Sequence, residues 1–407
     1  MSTDALATPK VSAGFDINAQ FRAVMHELGL SPEDTGGSIT FIGEDPIFPS
    51  KHRLGACIGI PIMAGAAGIA DIWRQRSGRG QDLTLDLRKA IHGVNPMYKF
   101  GPTINGYPYQ LPYWFNTNFE FYDPMAFYQY PTRDGRIFVP AGPYPRLLEN
   151  MCIFLRCGPA QDQIAEAVSK WDSAELDEAA AAAGVVGAII RTPEEWAAHP
   201  QGKQLADKPL VEIVKIGDSD PEPFTAAARP LSGLRVLAAT HVIAGNVVAR
   251  TLAEHGAEVL QISHPDEFEN EGLMQDPCTG FTTLEGTPEQ PKFPVTNVMN
   301  DFIAGYIGAA GVQAALIRRA KEGGSYHVRI NLARCAMWFN SLGTFDTDVP
   351  GTGEQNQLLA PDTITAQTPY GEYVRLAPPV QFSETKPYWR DPVLVVRGSS
   401  KPAWTTA

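Results

Sequence analysis

Residues 295–340 read VTNVMNDFIAGYIGAAGVQAALIRRAKEGGSYHVRINLARCAMWFN, and this stretch decides the fold of the chain. Its apolar run at 302–317 is rich in glycine and alanine, which predicts a buried helix packed closely against its neighbours. Basic residues followed by Gly323 predict the end of that helix. Alternating polar and apolar residues over 326–332 predict a half-buried strand, and 333–340 can form another helix. The stretch is therefore predicted to supply a helix, a strand and a second helix.

Asp301 stands where the first of these helices is predicted to begin. One interpretation is an N-cap, because an aspartate at that position accepts a hydrogen bond from a free backbone N–H group. A second interpretation uses the same geometry. The unpaired N–H groups and the helix dipole would keep the carboxylate ionised and fixed in direction, and an ionised carboxylate can act as a nucleophile. The residues alone leave both interpretations open.

Residues 55–95 nearly repeat this stretch. The motif Gly-Ala-Ala-Gly occurs at 65–68 and again at 308–311, each time followed by basic residues, glycines and a strand-like segment. The first copy has 56–58 where the second has Asp301, and it carries no carboxylate there. We therefore predict an internal duplication, with one active half and one supporting half on similar helices related by an approximate two-fold axis.

The composition excludes several classes of function. The net charge is -12 and there is no run of lysine or arginine, so a nucleic-acid partner is not expected. The five cysteines are scattered without zinc-ligand spacing, which predicts reduced, mostly buried thiols and no metal site. The first residues contain no apolar signal region, and together these features predict a cytoplasmic protein. The run at 302–317 is too short and too polar for a membrane span, which needs ~20 residues.

A strand–helix–strand unit is predicted in the second half of the chain. Its strands are expected at 234–239 and 258–262, with a helix at 247–255 between them, and such a unit indicates an open parallel sheet. The turn after the first strand lacks the G-x-G-x-x-G fingerprint, so an NAD-dependent oxidoreductase has little support. His52 and His92 are predicted to have structural or exposed roles, because the sequence places no partner carboxylate beside either.

Two groups of motifs resemble a known family. The segments SGRGQDLTLDL at 77–87 and NDFIAGYIGAAGVQAALIRRAKEGG at 300–324 resemble the central signature of class III CoA-transferases, the CaiB/BaiF family. Residues 229–264, RPLSGLRVLAATHVIAGNVVARTLAEHGAEVLQISH, resemble the opening of those enzymes. The resemblance covers most of 51–390. It implies an α/β fold with an open parallel Rossmann-like sheet and a smaller α+β domain.

The resemblance also implies a chemistry. In the family, the aspartate at the position of Asp301 is the nucleophile that carries an aspartyl-CoA thioester, and the reaction moves CoA between carboxylic acids. The turn residues Val242, Ile243 and Ala244, together with His264, stand where the family contacts CoA. Acyl-CoA and a carboxylic acid are the implied substrates, no cofactor is bound permanently, and a homodimer is expected.

The expected domains follow the motifs. Residues 1–127 would form an N-terminal partial CoA-transferase-like half, 128–217 a small α+β domain, 218–228 a linker, and 229–407 the half with the candidate nucleophile. Between about 265 and 300 the second half lacks strand–helix units that the family has there, including much of the nucleotide-binding core. Two alternatives therefore remain: a catalytically impaired homologue with a binding or subunit role, and an acyl-CoA racemase of the same family.

Overall fold

A computed structural model describes residues 14–94, 102–108, 128–142, 145–241, 243–262, 279–293, 299–396 and 398–405. The elements of the N-terminal part are α1 (Ile17–Leu28), β1 (Ile39–Ile42), α2 (Leu54–Ser77), β2 (Leu83–Asp86), α3 (Leu87–Ala90), β3 (Thr103–Ile104) and β4 (Tyr107–Pro108). The middle part contains β5 (Tyr130–Pro131), β6 (Ile137–Pro140), α4 (Pro145–Leu155), α5 (Gln161–Val168), α6 (Ser173–Ala183), β7 (Gly187–Ile189), α7 (Pro193–Ala198), α8 (Pro200–Ala206) and β8 (Val211–Gly217).

The C-terminal part follows the polar segment 218–228. Its elements are β9 (Arg235–Ala238), α9 (Ala244–Glu254), β10 (Glu258–Gln261), α10 (Phe281–Glu285), α11 (Met299–Glu322), β11 (Ser325–Ile330), α12 (Leu332–Ser341), β12 (Thr363–Thr368), β13 (Gly371–Leu376) and β14 (Val380–Phe382). The predicted strand–helix–strand unit is present as β9, α9 and β10, and α9 begins three residues earlier than the sequence indicates.

The sheets are small. Their strand orders are β1-β2-β14, β9-β10, β8-β11, β12-β13-β3-β4 and β5-β6-β7. Only β1 with β2 and β9 with β10 pair in parallel among the described strands, whereas the other pairs are antiparallel. The chain therefore has a mixed α/β fold. In place of the predicted open parallel sheet, the described residues contain two separate parallel pairs. Residues 263–278, which follow β10 directly, lie outside the described residues.

Helices α2 and α11 pack against each other at the centre of the main core. Each is 24 residues long. Each is followed by a glycine with positive φ, at Gly78 and Gly323, and then by a strand and a helix. When the helix ends are aligned, Gly68 and Gln313 are equivalent positions. They also touch, because a Cβ atom added to Gly68 would lie 2.5 Å from Gln313 Oε1. Contact between equivalent residues is the geometry of an approximate two-fold axis.

The two Gly-Ala-Ala-Gly motifs face different neighbours, although the sequence repeat predicts that they occupy equivalent positions. Gly68 faces Gln313 of α11, whereas a Cβ atom at Gly308 would lie 2.9 Å from Val248 and one at Gly311 would lie 2.8 Å from Val328. Aligning the motifs instead of the helix ends shifts the correspondence by two residues. Both helices need small residues so that neighbouring groups can pack closely, but the neighbours differ. The shared motif therefore does not mark equivalent positions in the structure.

Helix α9 approaches α11 at Gly305. A Cβ atom there would lie 2.6 Å from Val247 Cβ and 2.9 Å from the carbonyl oxygen of Ala244. These distances are shorter than van der Waals contact, so α9 lies against the α11 backbone only because residue 305 has no side chain. Gly305 therefore fixes the position of the strand–helix–strand unit relative to α11.

The middle part has a second core. It contains Tyr130, Phe138, Met151 and Leu176. The hairpin of β5 and β6 turns at Gly135, whose φ is 79°, and α7 begins with a capping box that has both of its hydrogen bonds. Strand β8, which the sequence assigns to the small domain, instead pairs with β11 of the C-terminal part. The domain boundaries otherwise stay predictions.

Among the described helices, Leu54–Ser77 is long and apolar enough to cross a membrane by length and composition. Its apolar window is completely buried inside the fold, and the core helix of a water-soluble fold meets the same criterion. The helix is here the centre of the main core.

Gly305→Ala should destabilise the protein. The added methyl group overlaps Val247 and a backbone oxygen, and overpacking of this kind costs about 1–3 kcal/mol. The matched control is Gly93→Ala, because nothing lies within 4 Å of a Cβ atom at Gly93. Urea unfolding should show that Gly305→Ala is the less stable of the two variants, and equal midpoints would contradict the close contact.

Candidate active site

Asp301 is the third residue of α11, not its N-cap, because the helix begins at Met299. The residue is 5% exposed, and its Oδ2 atom has no hydrogen-bond partner within the described part of the chain. Burial raises the pKa of the Asp301 carboxyl group from 3.8 to about 7. The expectation that the helix start keeps Asp301 fully ionised at neutral pH is therefore wrong, since desolvation disfavours the charged form.

Other polar groups are buried near this helix start. Asn300 is 4% exposed, and neither atom of its side-chain amide has a partner in the described residues. The thiol of Cys335 is fully buried. Burial raises the pKa of that thiol to about 12, Arg334 opposes the rise, and the Asp301 carboxylate adds to it. The last effect identifies Cys335 on α12 as a neighbour of Asp301.

Asn340 adds a further buried amide. Its Nδ2 donates to the carbonyl oxygen of Thr279 at 2.9 Å, and its Oδ1 has no partner among the described residues. Nothing in the sequence marked Asn300, Cys335 or Asn340 as candidate site residues. The one available signal was the adjacency of Asn300 to Asp301, because the burial that marks these groups is a property of the fold.

The residues predicted to contact CoA divide into two groups. Val242 and His264 lie outside the described residues. Ile243 is buried immediately before α9, and Ala244 is the first residue of that helix. The structure therefore places two of the four residues at the N-terminal end of α9, at the carboxyl edge of β9. Their role in CoA binding stays a prediction.

Asp301 lies close to the same end of α9. Gly305 is one helical turn after Asp301, so both residues are on one face of α11. That face meets Ala244, whose carbonyl oxygen would lie 2.9 Å from a Cβ atom at Gly305. The candidate nucleophile and the predicted CoA-binding turn are thus brought to the same end of the α9–α11 pair.

A cleft of about 2150 Å³ opens beside these helices. Its lining includes Ile243 of the turn and Tyr306 of α11. Arg250 on α9 donates a hydrogen bond to the Tyr306 hydroxyl at 2.9 Å, and the guanidinium of Arg375 stacks 3.9 Å from the centre of the Trp389 ring. Ligand pockets commonly measure ~300–1,000 Å³, so the cleft has room for a large substrate.

His52 has a carboxylate neighbour that the sequence did not indicate. Glu285 Oε2 lies 3.9 Å from His52 Nε2. The same nitrogen forms a hydrogen bond with the carbonyl oxygen of Phe281 at 2.9 Å. Burial lowers the pKa of the His52 imidazole to about 4, so the ring is neutral at pH 7. Glu285 instead accepts hydrogen bonds from Ser50 Oγ at 2.8 Å and the Lys51 N–H at 3.0 Å. The absence of a nearby carboxylate was a wrong expectation, but a structural role for His52 agrees with these contacts.

Metal ligands are not grouped in the described ranges. No set of three or more His, Cys, Asp or Glu side chains there is arranged to hold a metal ion.

Comparisons with known proteins find one family that part of the chain resembles. Residues 231–272 and 270–377 match the model of CoA-transferase family III. The chain is similar to the acetyl-coenzyme A transferase nodX of Hypoxylon pulicicidum, with 23% identity over 326 residues that cover 53% of this chain and 55% of the relative. It is also similar to an acyl-CoA transferase of Gibberella moniliformis, with 32% identity over 109 residues that cover 26% of this chain and 19% of the relative.

The chain thus spans about half the length of the first of these relatives and about a fifth of the second. No solved structure matches it. The family match includes β9, α9 and the whole of α11, so the candidate nucleophile lies within it. Residues 231–377, a little over a third of the chain, are thus similar to CoA-transferase family III.

Proposed function

We propose that this protein is a CoA-transferase that moves CoA between carboxylic acids, with Asp301 as the nucleophile. The observation that carries the proposal is a buried carboxyl group with an unpartnered oxygen in the first turn of α11, inside the region of the family match. A buried polar atom without a partner is rare in proteins and needs an explanation, and a reacting group supplies one.

The reaction proceeds through two acyl forms of Asp301. The carboxylate attacks the thioester carbonyl of the donor acyl-CoA, the C–S bond breaks, and CoA thiolate leaves a mixed anhydride on Asp301. The thiolate then attacks the aspartyl carbonyl of the anhydride, which releases the donor acid as a carboxylate and forms aspartyl-CoA thioester. Attack by the acceptor carboxylate on this thioester, followed by return of the thiolate to the acceptor acyl group, gives the new acyl-CoA and restores Asp301.

CoA would bind at the carboxyl edge of the β9–β10 pair. Val242, Ile243 and Ala244 in the turn after β9, and His264 after β10, are the proposed contacts, because ligands of open α/β sheets bind beyond the carboxyl ends of parallel strands. The pairing of β9 with β10 and the crossing by α9 support a Rossmann-like unit of the CaiB/BaiF type. CoA is a substrate in this proposal, not a resident cofactor.

The assembly and location are also proposals. A homodimer in the cytoplasm is expected from the family resemblance and from the reduced cysteines. Cys57, Cys152, Cys157 and Cys335 are free thiols in the structure, and the thiol pKa of each is raised, chiefly by burial.

The second candidate function is a catalytically impaired homologue with a binding or subunit role. It is favoured by the interval 264–300, which is too short for more than one βαβ unit of ~30 residues. An acyl-CoA racemase has less support. It needs a base opposite Asp301, and the neighbouring groups in the described structure are the amide of Asn300 and the thiol of Cys335, whose raised pKa of about 12 keeps it protonated.

Asp301→Asn should abolish transfer without reducing stability. The amide has the shape of the carboxyl group but cannot form an anhydride. Incubation with acetyl-CoA, hydroxylamine trapping and mass spectrometry should detect an adduct at residue 301 only in the wild type. Asp71→Asn is the matched control, because Asp71 is a buried carboxyl group on α2 with an unpartnered Oδ2 and a pKa raised chiefly by burial. Wild-type turnover in Asp301→Asn would remove the nucleophile assignment.

The pH dependence should follow the raised pKa of Asp301. Attack requires the carboxylate, so the rate constant for adduct formation should increase as pH rises through about 7. The folded protein holds this proton more tightly than the unfolded chain does. The contribution of Asp301 to stability is therefore full below about pH 4 and decreases as pH rises towards about 7. Stopped-flow rates and unfolding midpoints between pH 5 and 8 test both trends.

The stability trend has its own control. Asp301→Asn should flatten this part of the dependence of the unfolding free energy on pH. An adduct-formation rate that is constant from pH 5 to 8 would contradict the raised pKa while leaving the identity of the nucleophile to the trapping experiment.

A further inference from the structure

The start of α2 holds a carboxylate that comes from elsewhere in the chain. Asp45 accepts a hydrogen bond from the backbone N–H of Gly55 on Oδ1 at 2.9 Å and from that of Ala56 on Oδ2 at 2.8 Å. The Asp45 side chain is buried, and α2 has no cap from its own N-cap residue, Arg53. The N-terminal turn of α2 is therefore a bidentate carboxylate site, filled by a residue of the preceding loop.

The start of α11 is the equivalent position. Aligning the helix ends matches Gly55 with Asn300 and Ala56 with Asp301. The first four N–H groups of an α-helix have no partner within the helix. Among the described residues, no side chain accepts a hydrogen bond from the backbone N–H groups of Asn300 or Asp301, so this part of the chain supplies no counterpart of Asp45 at the second helix start.

An independent observation points to a ligand at this turn. The Asn300 side chain is 4% exposed, and both its Nδ2 and its Oδ1 lack partners in the described structure. Leaving a buried polar group unsatisfied costs about 1–3 kcal/mol. The amide supplies N–H donors in addition to those of the backbone, and together with the positive end of the helix dipole these donors favour an anion.

We propose that the first turn of α11 binds the carboxylate of the free acid substrate through the backbone N–H groups of Asn300 and Asp301 and the side-chain amide of Asn300. This inference rests on the proposed function, because it names the site at which the acid meets Asp301. Asp45 fills the same site on α2, whereas no described side chain fills the one on α11. The two hydrogen bonds that Asp45 accepts show that such a site holds a carboxyl group, although burial raises the pKa of that group to about 6.

Acetate is the probe for the test. Saturation-transfer NMR with sodium acetate, at constant ionic strength in sodium chloride, should show saturable binding to the wild-type protein. Asn300→Leu keeps the size of the side chain and removes its donors, and it should weaken acetate binding at least tenfold. Its unfolding temperature should not fall, because the variant removes a buried amide that had no partner.

The matched control is Gln313→Met. Gln313 is a second fully buried amide on α11 with no partner for either atom within the described residues, but it lies three helical turns beyond Asn300. It should bind acetate as the wild type does. Equal acetate affinity in Asn300→Leu and wild type, or the absence of saturable binding in the wild type, would overturn the proposal.

A further pair of variants separates folding and chemistry from binding. If Asn300→Leu does not fold, Asn300→Asp places a negative charge at the same turn and should exclude acetate by repulsion; undiminished binding would overturn the site. Asp301→Asn should still bind acetate, since its backbone N–H is unchanged, while it forms no CoA adduct. Acetate binding without adduct formation in the wild type would refute the nucleophile and leave the carboxylate site intact.

Discussion

The structure depends on backbone contact between three helices. Gly68 lets α2 lie against Gln313 of α11, and Gly305 lets α9 lie against the same helix from another side. A methyl group at either glycine would overlap its neighbour. The first turn of α11 is buried, and the start of α9 contacts α11 at Gly305, one helical turn after Asp301. The candidate active site is therefore a consequence of helix packing and does not depend on a flexible loop of the described structure.

Burial and the helix dipole act on Asp301 in opposite directions, and their magnitudes decide the outcome. A helix N-terminus stabilises a carboxylate by about 0.3–1 kcal/mol at exposed positions. Raising a carboxyl pKa from 3.8 to about 7 corresponds to roughly 4 kcal/mol in favour of the neutral form. Desolvation therefore outweighs the helix dipole, and the carboxyl group titrates close to neutral pH. The balance is different for Asp45, because backbone hydrogen bonds from Ala56, Gly55 and Ile47, together with the charge of Arg53, limit the rise in its pKa to about 6.

The sequence predicted local structure well, because caps, turns and periodicity are local properties. The helix predicted over 302–317 lies within α11, the strand predicted over 326–332 is β11, and β9, α9 and β10 follow in the predicted order. It made Asp301 the candidate nucleophile, which stays a prediction, and it misjudged the ionisation of that residue, because burial depends on residues far away in the chain. The approach of Glu285 to His52, and of Cys335 to Asp301, joins segments that no local pattern connects. The family resemblance implied the chemistry, but only the fold revealed that the Asp45 carboxylate accepts hydrogen bonds from the first turn of α2.

The last strand, β14 (Val380–Phe382), completes the sheet of the first two strands by pairing with β2. Nearby, the backbone N–H of Thr385 donates a hydrogen bond to Oε1 of the buried Gln81. The C-terminal part of the chain thus completes a sheet that the N-terminal part begins. Translation adds ~5–20 residues per second, so about 300 residues separate β2 from its partner by roughly 15–60 s of synthesis. During that time the edge of β2 that β14 will cover has no strand to pair with. The sheet of β1 and β2 therefore cannot be completed until β14 has been synthesised. A chaperone that shields an open strand edge would act in that interval.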